Sequence, residues 1–116
     1  MKKIVSLVII CLLITACGKK YETIDTNRAL EIIDQGAVII DVRTKEEYNQ
    51  GHITDAINIP FDIIDTITLG KDTNIIVYCK SGVRSEEAVK KLADLGYTSL
   101  YNLDGGIINW GGSWEE

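Results

Sequence analysis

Two runs of β-branched residues, Ala37-Val38-Ile39-Ile40-Asp41-Val42 and Asn74-Ile75-Ile76-Val77-Tyr78, constrain this chain more than any other feature. Neither alternates apolar with polar positions. A strand apolar throughout must be covered on both faces, as in parallel sheets with helices packed above and below. The intervening segments supply such elements. A first strand is predicted over Tyr21 to Ile24, and Thr26 is placed to cap a helix running to Gln35. That helix carries Leu30, Ile33 and Ala29 or Ile32 on its apolar side and stops at Gly36. A short helix over Thr44 to Asn49, a strand over Ala56 to Ile59 ended by Pro60, and a helical turn over Asp62 to Ile67 follow. Ser85 to Leu95 has Ala88, Val89, Leu92 and Leu95 at helical spacing, with Glu86 and Glu87 in its first turn. A last strand over Ser99 to Leu103 and a short helix over Gly106 to Trp110 complete the pattern, leaving six residues for any final docking segment. Strand and short helix in alternation mean βαβ units and a mainly parallel sheet. The 116 residues suffice for one domain.

The first residues follow a different logic. Lys2 and Lys3 precede Ile4 to Ile14, an apolar stretch interrupted only by Ser6, as in the charged and apolar regions of an export signal. Eleven residues at helical rise span about 16 Å, too short to cross a hydrocarbon core. Ile14-Thr15-Ala16-Cys17 resembles the lipobox of bacterial lipoproteins, in which the Cys thiol takes a diacylglyceryl group and a further acyl chain such as palmitate completes the anchor. The expected organisation is therefore a lipoprotein signal peptide over 1–16, a lipidated tether over 17–21 and a folded domain over 22–116. On this reading the protein sits on the cell membrane, lipid-anchored on its extracytoplasmic side.

Removing the signal takes away two lysines and leaves 10 basic residues against 17 acidic, a charge of −7. A chain so acidic is unsuited to binding nucleic acid, which selects a basic surface. Of the three cysteines, Cys11 leaves with the signal and Cys17 is lipidated, so Cys79 is the one free thiol of the domain. A disulfide scaffold is excluded. A lone thiol in an oxidising compartment is vulnerable to oxidation, and its presence asks for a use.

Cys79 follows a predicted buried strand directly. In open α/β sheets, ligands bind beyond the carboxyl ends of the strands. The next residues, Lys80-Ser81-Gly82-Val83-Arg84, lead into a helix. Gly82 permits a tight curl that turns successive N–H groups inward as an anion nest, with the helix N-terminus behind it. Together with the cations Lys80 and Arg84, these groups favour thiolate over thiol. An ordinary thiol is only about 3% ionised at pH 7, and a fall of two units would make that about 75%.

Asp41-Val42-Arg43, Glu47-Tyr48, Gly51-His52-Ile53, Ala56, Asn58-Ile59-Pro60, the loop Cys79 to Arg84 and Gly105-Gly106-Ile107-Ile108-Asn109-Trp110 together resemble a single-domain rhodanese, in order and spacing, over roughly Ile24 to Trp110. The resemblance implies a rhodanese-like α/β fold, a five-stranded mainly parallel sheet with helices on both faces. It also implies a sulfurtransferase of the thiosulfate type. Cys79 would take sulfane sulfur from a thiosulfate-like donor as a persulfide and pass it to a thiol or cyanide. Lys80, Ser81, Gly82, Val83 and Arg84 would form the anion cradle, with Asp41 and Arg43 in support. Arg43 and Glu47, four apart across a helix start, are expected to pair. His52, the only His, belongs to the scaffold in this pattern. No metal site is readable from one His and one free Cys, no cofactor is needed, and a monomer is expected.

Two other classes compete. A Cys-based phosphatase also uses a Cys-to-Arg loop, but those enzymes place five residues between the two, and here there are four. A non-catalytic rhodanese-like binding or redox-sensing module is the remaining alternative.

Overall fold

The computed structural model describes residues 19–116; the predicted signal segment and Cys17 lie outside the described residues. Five strands form one parallel sheet: β1 (Glu22–Ile24), β2 (Val38–Asp41), β4 (Ile57–Asn58), β5 (Ile75–Tyr78) and β6 (Leu100–Leu103), in the order β1-β6-β5-β2-β4. The two β-branched runs are neighbours, with Val38 opposite Ile75 and Asp41 opposite Tyr78. Strand β5 is therefore central, and its carboxyl end lies between those of β2 and β6.

Both faces of this sheet are covered, which explains why the runs are apolar throughout. Ile40, Ile75, Val77 and Leu100 pack with Ala88, Val89 and Leu92 of helix α3 (Val83–Asp94). Ile39, Ile76, Tyr78 and Leu103 pack with Ala29 and Ile32 of helix α1 (Thr26–Asp34). Each such aliphatic side chain, fully buried, contributes about 1.5–3 kcal/mol relative to exposure.

Helix α2 (Lys45–Gln50) is started by a capping box. The Thr44 hydroxyl accepts from the Glu47 N–H, and the Glu47 carboxylate accepts from the Thr44 N–H. This reciprocal arrangement satisfies donors that the first helical turn would otherwise leave free. A 3-10 segment (Phe61–Thr66) lies against α3, and a second (Gly106–Asn109) follows β6.

Several local expectations are revised. The cap of α1 is Asp25, whose carboxylate accepts from the Arg28 N–H, and not Thr26. Leu30 and Leu95 are exposed, because the packed stripes run through Ala29 and Ile32 and through Ala88, Val89 and Leu92. Helix α3 starts at Val83, two residues earlier than its apolar spacing implied, so Arg84 belongs to its first turn. The terminal segment also pairs: β7 (Trp114–Glu115) runs antiparallel to β3 (His52–Ile53), and the Trp114 ring lies directly over Gly51. Two-residue strands carry no periodicity, so this small second sheet left no trace in the sequence pattern.

Candidate active site

The central strand delivers Cys79 to the carboxyl edge of the sheet with only 1% of its surface exposed. The chain then turns through Lys80, Ser81 and Gly82, where φ is +103°, a conformation that a side chain would strain. Gly82 is the residue preceding α3 and has no side chain with which to cap it. The Cys79 sulfur takes that place. Gly82 donates its N–H to Sγ at 3.0 Å, and the Ser85 hydroxyl lies 3.4 Å from it.

These contacts set the charge on the sulfur. Burial pushes the Cys79 thiol up, but the Ser85 hydroxyl and the backbone N–H groups of Ser85, Gly82 and Ser81 outweigh it, and the thiol lies below its ordinary range. A thiolate at this position would be held by backbone amides at a helix N-terminus, with the Ser85 hydroxyl beside it. The two cations singled out in the sequence act less directly. Lys80 is exposed, and the Arg84 guanidinium is paired with Glu47 of α2, Nη1 to Oε1 at 2.9 Å and Nη2 to Oε2 at 3.1 Å. Glu47 was expected to face Arg43. It faces Arg84 instead, because α3 begins early enough to put that side chain over α2.

Arg43 is taken by Asp41. The Asp41 carboxylate accepts from the Arg43 backbone N–H at 2.8 Å and from its guanidinium Nη2 at 2.7 Å. The same carboxylate accepts from the Tyr78 hydroxyl at 2.6 Å, and that hydroxyl accepts from the Ile53 N–H. Arg43 also donates to the Gly51 carbonyl. Burial alone would lower the Arg43 pKa, and the Asp41 carboxylate more than offsets it. Burial pushes the Tyr78 phenol far up, with Asp41 adding to the shift. Asp41 and Arg43 therefore meet the residue before Cys79 and do not touch the sulfur. His52 is stacked on Tyr48, with centroids 3.7 Å apart, and its ring nitrogens face the Tyr48 carbonyl and the Glu115 carboxylate.

Two contributors were missed by sequence reasoning. Ser85 is fully buried, its hydroxyl within hydrogen-bond reach of both Cys79 Sγ and, at 2.6 Å, Asn102 Oδ1, so that its single proton serves one of the two at a time; it read as an ordinary helix-start residue. Gly106 read only as the first residue of a short helix. A Cβ there would come within 2.4 Å of the Cys79 carbonyl oxygen and 2.5 Å of that of Lys80. This close approach lets the Ile107 and Ile108 N–H groups donate to those two carbonyls, which turns the loop's own amides toward the sulfur. The paired glycines Gly105-Gly106 were the available signal.

The fold and site together define an α/β domain with a buried thiol at the carboxyl end of its central strand, set against the amides of a strand-to-helix loop. The family model described as the rhodanese-like domain matches residues 25–113, and the chain belongs to that family. A sulfurtransferase of Allochromatium vinosum is 38% identical over 78 residues, covering 66% of this chain and 73% of that protein. A tRNA uridine(34) hydroxylase of Buchnera aphidicola is 35% identical over 94 residues, 74% of this chain but only 30% of the longer relative. Among solved structures, a rhodanese-related protein of Thermoplasma volcanium matches with a TM-score of 0.72 at 31% identity, covering 82% of this chain and 98% of that one.

Proposed function

We propose that this protein moves sulfane sulfur from a thiosulfate-like donor to a thiol or cyanide through a persulfide on Cys79. The observation that carries this reading is the Gly82 N–H aimed at Sγ at 3.0 Å, within a loop whose amides lower the thiol pKa. The thiolate attacks the sulfane sulfur of thiosulfate, a new S–S bond forms, and sulfite leaves with the electron pair of the broken bond. The charge then rests on the outer sulfur, where the amides of Ser81 and Gly82 and the helix N-terminus favour it. An acceptor thiolate or cyanide attacks that outer sulfur and returns the Cys79 thiolate. Four residues between Cys79 and Arg84 suit a single sulfur better than a phosphate ester. Intact mass after thiosulfate treatment tests the reading: a gain of one sulfur atom, lost on adding cyanide, is expected. An unchanged mass would refute it and favour a non-catalytic module.

The proposal includes export and lipid anchoring at Cys17, supported by the order Lys2-Lys3, apolar stretch, Ala16-Cys17. Among the described residues no helix is long and apolar enough to cross a membrane. In this reading attachment rests on acyl chains, two of which hold where one is marginal. The native protein should sediment with membranes, and Cys17→Ala should move it to the soluble fraction or leave it unprocessed. A native protein found wholly in the soluble fraction overturns the anchor.

A further inference from the structure

The cations around the Cys79 cradle are unequally available. Arg43 is committed to Asp41 and to the Gly51 carbonyl. Both terminal nitrogens of Arg84 are committed to Glu47, and the pair is only partly exposed, at 40% and 30% for the two side chains. Glu47 is itself fixed: its Oε1 also accepts from the Thr44 N–H and hydroxyl at the start of α2. Arg84 holds the Glu47 carboxyl down at about 2, against a smaller opposing effect of burial, so the pair stays ionised throughout any assay range. Arg84 also senses the active sulfur. After Glu47, the charges that act on its guanidinium include the Cys79 thiolate, which raises its pKa, and Arg43, which lowers it. Lys80, by contrast, is exposed and has no ion pair among the described residues.

We propose that Glu47 determines donor specificity: by occupying the Arg84 fork it withholds that cation from a dianionic donor, so the site takes singly charged sulfane donors in preference to thiosulfate. The inference rests on the sulfur-transfer reading above. A planar guanidinium fork matches a sulfonate head as well as a carboxylate, and the two anions compete for it. Coulomb energy scales with donor charge, so releasing Arg84 should help a dianion about twice as much, in logarithmic terms, as a monoanion.

Thiosulfate and methanethiosulfonate form a suitable pair. In both, the Cys79 thiolate takes the terminal sulfur, and sulfite or methanesulfinate leaves with the electron pair, but the donors carry two charges and one. Glu47→Gln keeps a side chain that can complete the capping box. It should lower KM about tenfold for thiosulfate and about threefold for methanethiosulfonate, with kcat within twofold for each, and the difference should shrink as salt is added. Glu46→Gln, on the exposed side of the same turn, removes the same charge without touching Arg84 and should leave the donor ranking as in the native protein. Equal changes for both donors in Glu47→Gln, or a match between the two variants, would overturn the proposal. If neither donor adds sulfur to native Cys79 by intact mass, the sulfur-transfer reading itself fails and the specificity inference falls with it.

Discussion

Serine in place of Cys79 is expected to end sulfur transfer, a loss of about 10³-fold or more, while leaving the domain folded. A serine hydroxyl is not ionised by a few hydrogen bonds, so the loop that favours a thiolate cannot generate an alkoxide near neutral pH. It also cannot form the persulfide. The fold should tolerate the change because the hydroxyl is slightly smaller than the thiol and can accept the Gly82 N–H that now points at Sγ. The stability cost should be about 1 kcal/mol, the common size for a single substitution. Thiosulfate:cyanide turnover and a urea melt on the same sample check both halves. Retained turnover would show that Cys79 is not the nucleophile.

Asp41→Ala is expected to cost about 3–5 kcal/mol, the range for removing one partner of a buried ion pair. Arg43 is 6% exposed and Asp41 fully buried, so the guanidinium would be left charged without its counter-ion. The Tyr78 hydroxyl would lose its acceptor at the same time. A domain of ordinary stability has only about 5–15 kcal/mol in hand, so a large share of the folded population should be lost under mild denaturant. Asp41→Asn, which keeps an acceptor oxygen, should fall between the two. A midpoint for Asp41→Ala within 1 kcal/mol of the native protein would show that the network is not a stability element. Because Tyr78 precedes Cys79, slower alkylation of the thiol in folded Asp41→Asn would show that the network also positions the loop.

The features legible in the sequence are those encoded in short windows. Continuous β-branched runs could only be strands covered on both faces, and Ile39 and Ile40 pack into opposite layers. The short helix read over Thr44 to Asn49 corresponds to α2 at Lys45–Gln50, and the position of Cys79 after an apolar strand placed the thiol at the carboxyl edge. The early start of α3 was hidden because its first turn, Val83 and Arg84, carries no apolar stripe and its preceding residue caps it with backbone alone.

Sequence by itself determined the layers, the parallel sheet and the thiol at the end of a buried strand, because apolar patterning and glycine placement act over a few neighbouring residues; that this strand is the central one came from the sheet order. Only the tertiary structure decided which charges meet. Arg84 reaches Glu47 across 37 positions of chain and Arg43 turns back to Asp41, because an ion pair forms between whichever side chains the packed elements bring within about 4 Å. The same holds for Gly106, whose missing side chain matters only because the turn after β6 is pressed onto the carbonyls of Cys79 and Lys80. The cradle's shape thus comes from contacts between segments distant in the chain, whose register no local pattern records.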